Sequence, residues 1–134
     1  MDSVTVSIAP GSRCQVWAQA IRCGADVSVT VCGGSTPHVG AVSLAVYEPQ
    51  RDSATVSTLT VFTHRDDQVA AAMAKALSRA LKATVCVSAG LHVDGAGAQD
   101  LALFRENCAR CCRELVERLT PGTAPAPTSP DPLP

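Results

Sequence analysis

The chain has 134 residues and a formal net charge of −1, a length that usually forms one domain around one core. Hydrophobic residues make up 46% and charged residues 17%, which excludes an intrinsically disordered chain. Eleven basic residues are offset by twelve acidic ones, and the aromatic fraction is 3%, so the basic footprint and stacking platforms of nucleic-acid-binding proteins are missing.

The first half of the chain predicts five strands, because apolar and polar residues alternate there with a period of two. Turn residues such as Pro10-Gly11 and Gly33-Gly34 separate the alternating segments. The predicted strands cover residues 4–8, 15–23, 27–31, 39–47 and 53–62.

The period then changes to that of a helix. Residues 64–82 and 101–119 are predicted helices, with a sixth strand at residues 84–91 between them. The order βββββαβα predicts an α+β fold, a largely antiparallel sheet of about six strands with two helices on one face. Residues 1–119 are expected to form this single domain, and the proline-rich residues 120–134 a flexible tail.

A soluble cytoplasmic protein without a membrane partner is the expected setting. The longest stretch without a charged residue, residues 27–47, is broken by a Gly-Gly-Ser-Thr-Pro-His segment and does not predict a membrane span. The first residues lack the features of a signal peptide, and seven cysteines are an odd number for a secreted disulfide framework. Reduced thiols are therefore expected, with Cys108, Cys111 and Cys112 packed on the sheet.

All three histidines fall at strand ends. If strands four and five form a hairpin and the first helix returns the chain, His38, His64 and His92 meet at one sheet edge. Both helices begin at this edge, and their free N–H groups favour an anion. A phosphate-bearing ligand is therefore predicted at this edge, here called the rim, although the two aspartates before the first helix would repel a phosphate. The rim comprises Gly33, Gly34, Ser35, Thr36, His38, His64, Arg65, Asp66, Asp67, His92 and Asp94.

A metal site is the alternative interpretation of the same residues. His38, His64, His92 and Asp94, together with Asp66, are ligand types for zinc or for iron, although no compact spacing such as H-E-x-x-H is present. This alternative describes a small metal-dependent hydrolase or lyase. A third interpretation is a protein-assembly module without a ligand, which docks through a sheet edge or the tail.

Three short motifs at the rim resemble one known family. Thr-Pro-His-Val-Gly-Ala at residues 36–41, Thr-His-Arg-Asp-Asp at 63–67 and Ala-Gly-Leu-His-Val-Asp at 89–94 occur in this order. Together they resemble the small accessory proteins associated with gallate-type decarboxylases, the prenylated-flavin chaperone family, over about residues 15–119. Thr63 stands where that family usually has glycine.

The resemblance implies a non-catalytic accessory protein with a fold similar to that of proteasome assembly chaperones. It implies a cytoplasmic homodimer that binds reduced prenylated flavin mononucleotide (FMN) and assists the maturation of UbiD-type decarboxylases. Because the chain has so few aromatic residues, the flavin ring is expected to rest on aliphatic walls. The cofactor-binding positions carried over are His38, Gly40, His64, Arg65, Asp66, His92 and Asp94.

Overall fold

The computed structural model describes residues 3–61 and 66–120. His64, Arg65 and the proline-rich segment that follows Thr120 lie outside the described residues. The strands are β1 Ser3–Ile8, β2 Val16–Cys23, β3 Asp26–Gly34, β4 Ala41–Glu48, β5 Ser53–Thr60 and β6 Val85–His92. The helices are α1 Asp66–Leu81 and α2 Ala98–Leu119, and a short 3-10 turn at Pro49–Arg51 links β4 to β5.

The predicted α+β fold and its element order are confirmed. The six strands form one sheet in the order β1-β2-β3-β6-β4-β5. All neighbouring pairs are antiparallel except β3 and β6, which run parallel. β6 is therefore inserted between β3 and β4, and it runs parallel to β5 without touching it because β4 lies between them.

The two helices cover the same face of the sheet and also contact each other. α2 packs on β1 and β2, and α1 packs on β4, β5 and β6. Small and β-branched side chains such as Ala18, Val31 and Val87 are fully buried beneath them, which lets the helix backbones approach the sheet closely. Leu77 of α1 and Leu115 of α2 supply the larger core side chains.

The opposite face of the sheet has no helix of the described chain against it, and we call it the open face. Its positions follow from the strand register, with three alternate residues from each strand. They are Ser3, Thr5 and Ser7; Trp17, Gln19 and Ile21; Ser28, Thr30 and Cys32; Cys86, Ser88 and Gly90; Val42, Leu44 and Val46; and Thr55, Ser57 and Leu59.

Neither helix has the length and apolar character needed to cross a lipid bilayer, a finding that holds for residues 3–61 and 66–120. The seven cysteines are all free thiols. Cys108 and Cys111 are buried, as expected for packing on the sheet, and Cys112 is half-buried. Burial raises the pKa of Cys108 and of Cys111 to about 12, so both thiols are protonated at neutral pH.

Candidate functional site

The strand register brings three of the predicted rim segments together. Gly34 at the end of β3 lies opposite His92 at the end of the parallel strand β6. The backbone N–H groups of Ser35 and Thr36 both donate to the carbonyl oxygen of His92, at 2.9 and 3.4 Å. This bonding holds the segment before β4 across the end of β6 and places His38 beside His92.

Each of these two histidines is paired with one aspartate. His38 Nε2 lies 2.9 Å from Asp66 Oδ2, and His92 Nε2 lies 2.9 Å from Asp94 Oδ1. The two imidazole rings meet edge to face, with centroids 6.5 Å apart and planes inclined at 74°. The rim therefore contains two adjacent histidine–aspartate pairs rather than an unstructured group of polar side chains.

The pair formed by His38 and Asp66 is the more enclosed. The side chain of Asp66 is 8% exposed and that of His38 is 21% exposed. Asp66 Oδ1 accepts a hydrogen bond from the backbone N–H of Leu91 at 3.0 Å, so both of its carboxylate oxygens are engaged by other rim groups. An anion bound at the rim would therefore not face a bare Asp66 carboxylate, which reduces the repulsion expected from the sequence.

The hydrogen-bond roles at His38 require an additional proton. Its Nδ1 lies 3.1 Å from the carbonyl oxygen of Thr36, which can only accept, so Nδ1 carries a hydrogen. Nε2 then bonds to Asp66 only when a second proton lies between nitrogen and oxygen. The pair thus holds one proton more than a neutral imidazole next to a carboxylate.

Gly40 makes this arrangement possible by having no side chain. It is buried, and its backbone N–H donates to the carbonyl oxygen of Ala89 at 2.9 Å. A Cβ atom added at Gly40 would overlap the carboxylate of Asp66. Gly90 on the neighbouring strand is equally constrained, because a Cβ there would overlap the backbone carbonyl of His38. Gly40, predicted as a cofactor-binding residue, is placed here as a spacer for Asp66.

His92 and Asp94 face solvent. Their side chains are 46% and 91% exposed, so both are accessible to a ligand. The carbonyl oxygen of Asp94 accepts from Arg13 Nη2 at 2.6 Å, and the guanidinium of Arg13 also contacts Asp100 in the first turn of α2. These contacts fix the segment between β6 and α2 at the rim.

A groove runs from the rim between α1 and α2, with a volume of about 950 Å³. Along α2 it extends from Leu101 to Glu117, which is roughly 24 Å at 1.5 Å per residue. Asp66 and His92 lie at the rim, and Arg105 and Arg113 are the cationic residues of α2 that line it. Its walls are mainly aliphatic, with Phe104 as the aromatic contribution. The apolar lining includes Val69, Ala72, Met73, Ala76, Leu91, Leu101, Phe104, Ala109 and Val116.

The sequence pattern did not reveal this groove. The apolar stripes of both helices predicted contacts with the sheet, and Cys111, Leu115 and Leu119 do make them. Leu101, in contrast, is 53% exposed and lines the groove. An apolar stripe wider than sheet contact requires is the signal that could have indicated a lined groove.

The metal alternative finds no geometric support in the described part of the chain. Among residues 3–61 and 66–120, no group of three or more His, Cys, Asp or Glu side chains is arranged to hold a metal ion. His64, which belonged to that ligand set, lies outside the described residues, as does Arg65.

Comparison with known proteins assigns the family. Residues 11–120 match the model of the prenylated flavin chaperone LpdD-like domain. Protein LpdD of Lactiplantibacillus plantarum is 29% identical over 84 residues, an alignment that covers 63% of this chain and 60% of that protein. The chain therefore aligns with less than two thirds of that relative.

The fold has a counterpart among solved structures. A chain from the crystal structure of a chaperone complex for yeast 20S proteasome assembly superposes with a TM-score of 0.57 and 15% sequence identity. The superposition covers 87% of this chain and 96% of that one, which shows a shared fold. With its motifs, its fold and a family match across residues 11–120, the chain belongs to the prenylated flavin chaperone LpdD-like family.

Proposed function

We propose that this protein is a cytoplasmic carrier that binds reduced prenylated FMN and delivers it to a UbiD-type decarboxylase. The observation that carries the proposal is the aliphatic groove of about 950 Å³ that opens at His92 and Asp66, in a chain of the LpdD-like family. Ligand sites of drug-sized molecules range from about 300 to 1,000 Å³, so the groove is large enough for a flavin.

The chemistry of the groove suits a flavin nucleotide in two respects. A flavin ring is flat and largely apolar, and the walls supplied by Val69, Leu91 and Val116 bury such a surface without specific stacking. The phosphate requires cations or N–H donors. Arg105 and the N-termini of the two helices supply these close to the rim, and the proton held by His38 and Asp66 reduces the local negative charge.

The thiols of the groove suit a reactive cargo. Cys108 and Cys112 line it, and burial raises the pKa of both thiols. Both sulfurs therefore remain protonated, and the thiolate, which is the nucleophilic form, is scarce. A bound reduced flavin would meet weak nucleophiles only. We assign no catalytic residue, because a carrier must hold and release its ligand unchanged.

The site residues proposed to contact the cofactor are His38, His92 and Asp94 at the rim, with Asp66 and Gly40 supporting His38. His64 and Arg65 complete the proposed set from their place in the family motif. The proposal also includes a homodimer.

Anaerobic native mass spectrometry with reduced prenylated FMN tests the proposal, and two alanines of α2 provide matched variants. Ala109 lines the groove and Ala102 does not, although both are exposed. Ala109→Trp should fill the groove and lower the bound fraction at least tenfold, whereas Ala102→Trp should bind like the wild type. No bound cofactor in the wild type, or equal binding by both variants, would contradict the proposal.

Delivery is measured separately by adding the loaded protein to an apo-decarboxylase of the UbiD type. Activity should appear faster than with an equal concentration of free cofactor. Ala109→Trp should lose this advantage and Ala102→Trp should keep it.

A further inference from the structure

The open face differs in composition from an ordinary protein surface. None of its positions, three from each of six strands, carries a charged side chain. Soluble surfaces usually have about 25–35% charged residues. Charge returns only where the strands end, at Asp26 on β3 and at Glu48 on β4, which is paired with Arg51.

Large apolar side chains are also concentrated on this face. Leu44 is 45% exposed, Val46 is 47% exposed and Leu59 is 81% exposed, and they lie on the adjacent strands β4 and β5. Trp17 on β2 is a further exposed side chain of the same face. An apolar centre with charges confined to the ends of the strands is the usual composition of a protein interface.

From these observations we propose that the open face is the homodimer interface, in which it packs against the open face of a second copy of this chain. The inference is independent of the proposed cofactor role, because the groove lies on the opposite, helix-covered face of the sheet.

The size of the face suits a stable dimer. Six strands spaced about 4.8 Å apart, with three outward residues along each, give roughly 24 Å by 20 Å in projection. The projected area is thus roughly 500 Å², to which the relief of the side chains adds. Standard interfaces bury about 800 Å² on each partner, which is the same order.

The absence of charge favours a second copy over other occupants. A lipid surface attracts proteins through Lys and Arg, and none is present on this face. A different protein would need its own flat, uncharged surface, and the open face is such a surface. A two-fold axis would bring equivalent faces together without like-charge contacts, and twisted sheets pack in this way about 10 Å apart.

Two leucines of equal exposure test the interface in the full-length protein. Leu44 on the open face is 45% exposed, and Leu103 on α2 is 44% exposed. By sedimentation equilibrium, the wild type and Leu103→Lys should have twice the chain mass of 13.8 kDa. Leu44→Lys places two charges in a two-fold interface and should raise the dimer dissociation constant at least 100-fold. Leu59→Lys, at the 81% exposed edge position, gives a second variant with little effect on the monomer fold.

Circular dichroism spectra that match the wild type would show that the variants are folded. Because the interface is uncharged, dissociation of the wild type should change less than threefold between about 0.05 and 0.5 M salt. A wild type that is monomeric at all concentrations would overturn the inference, including one that then binds lipid vesicles or a decarboxylase through Leu44. A dimer that both Leu44→Lys and Leu59→Lys leave intact would also overturn it. Cofactor binding by monomeric Leu44→Lys separates failure of this inference from failure of the proposed function.

Discussion

At the scale of single residues, the rim depends on a glycine that makes room for a charged pair. Gly40 has no side chain, and this space is occupied by the Asp66 carboxylate that bonds to His38 and to the backbone of Leu91. The first of the three sequence motifs contains both His38 and Gly40, but the contact with Asp66 requires the chain to fold back over 28 residues. Local pattern alone does not specify such a contact.

Substitution of Gly40 by alanine should therefore disturb both stability and binding. The added Cβ would displace the Asp66 carboxylate, and overpacking of a buried site costs about 1–3 kcal/mol. We expect a lower free energy of unfolding in urea and weaker binding of reduced prenylated FMN.

Gly97 provides the control for this substitution. A Cβ at Gly97 meets nothing within 4 Å, and its φ of −93° is accessible to alanine. Gly97→Ala should cost roughly 0.5 kcal/mol or less, because it alters only the residue that precedes α2. Equal destabilisation by the two variants would show that the space beside Asp66 is not what requires glycine at residue 40.

At the scale of elements, the start of α2 is fixed by one carboxylate. Asp100 accepts a hydrogen bond from the backbone N–H of Gly97 at 3.0 Å and also contacts Arg13. The Gly97 hydrogen bond, followed by Arg13, lowers the pKa of Asp100 below its usual 3.8. Because the folded state favours the ionised form, Asp100 contributes stability above about pH 3.8 that is lost as pH falls through the lowered pKa.

Asp100→Asn should consequently lower Tm at pH 7, and its difference from the wild type should shrink as pH falls below about 3.8. Thermal unfolding followed by circular dichroism at pH 7, 5, 4 and 2.5 measures this. Glu106→Gln, at an exposed position of the same helix, controls for the loss of one negative charge. A difference between Asp100→Asn and the wild type that is constant from pH 7 to 2.5 would contradict the assigned cause.

Most elements could be predicted because each has a strong local period. Alternation of buried and exposed residues in β1 and β2 marks half-covered strands, and the helices cover them on one face as expected. β3 extends to Gly34, beyond its predicted end, because the register with β6 continues through two glycines. α2 begins at Ala98, three residues earlier than its apolar stripe indicated, since its first turn is held by the polar contacts of Asp100.

The place of β6 in the sheet and the groove between the helices could not be predicted in the same way. Strand order depends on which edges pair after the helix α1 has crossed the sheet, and no local period encodes it. The groove arises because α1 and α2 cover different strands and meet only along part of their length. Side chains such as Phe104 and Cys112 therefore line an opening, although their spacing matches that of core residues.

At the scale of the whole molecule, the sheet separates two surfaces of different character. The helix-covered face contains the groove and the rim, where all the proposed cofactor contacts lie. The open face is uncharged and contains exposed leucine and valine side chains. A carrier built in this way could release its ligand at the groove while the proposed dimer stays intact, because the two surfaces share no residue.

Ligand linkage should therefore report on the groove alone. A ligand at 100 times its dissociation constant stabilises the native state by about 2.7 kcal/mol, which for a chain of this length raises Tm by on the order of 10 °C. We expect reduced prenylated FMN to produce this shift in the wild type and in Ala102→Trp, measured anaerobically by differential scanning calorimetry. Leu44→Lys should start from its own lower Tm and rise by a similar amount, since its substitution is on the other face. Ala109→Trp should rise by less than about 2 °C, because a filled groove leaves no ligand-dependent difference between native and unfolded states. An equal rise in Ala109→Trp would place the cofactor elsewhere, and loss of the rise in Leu44→Lys alone would mean that the binding site is complete only in the dimer.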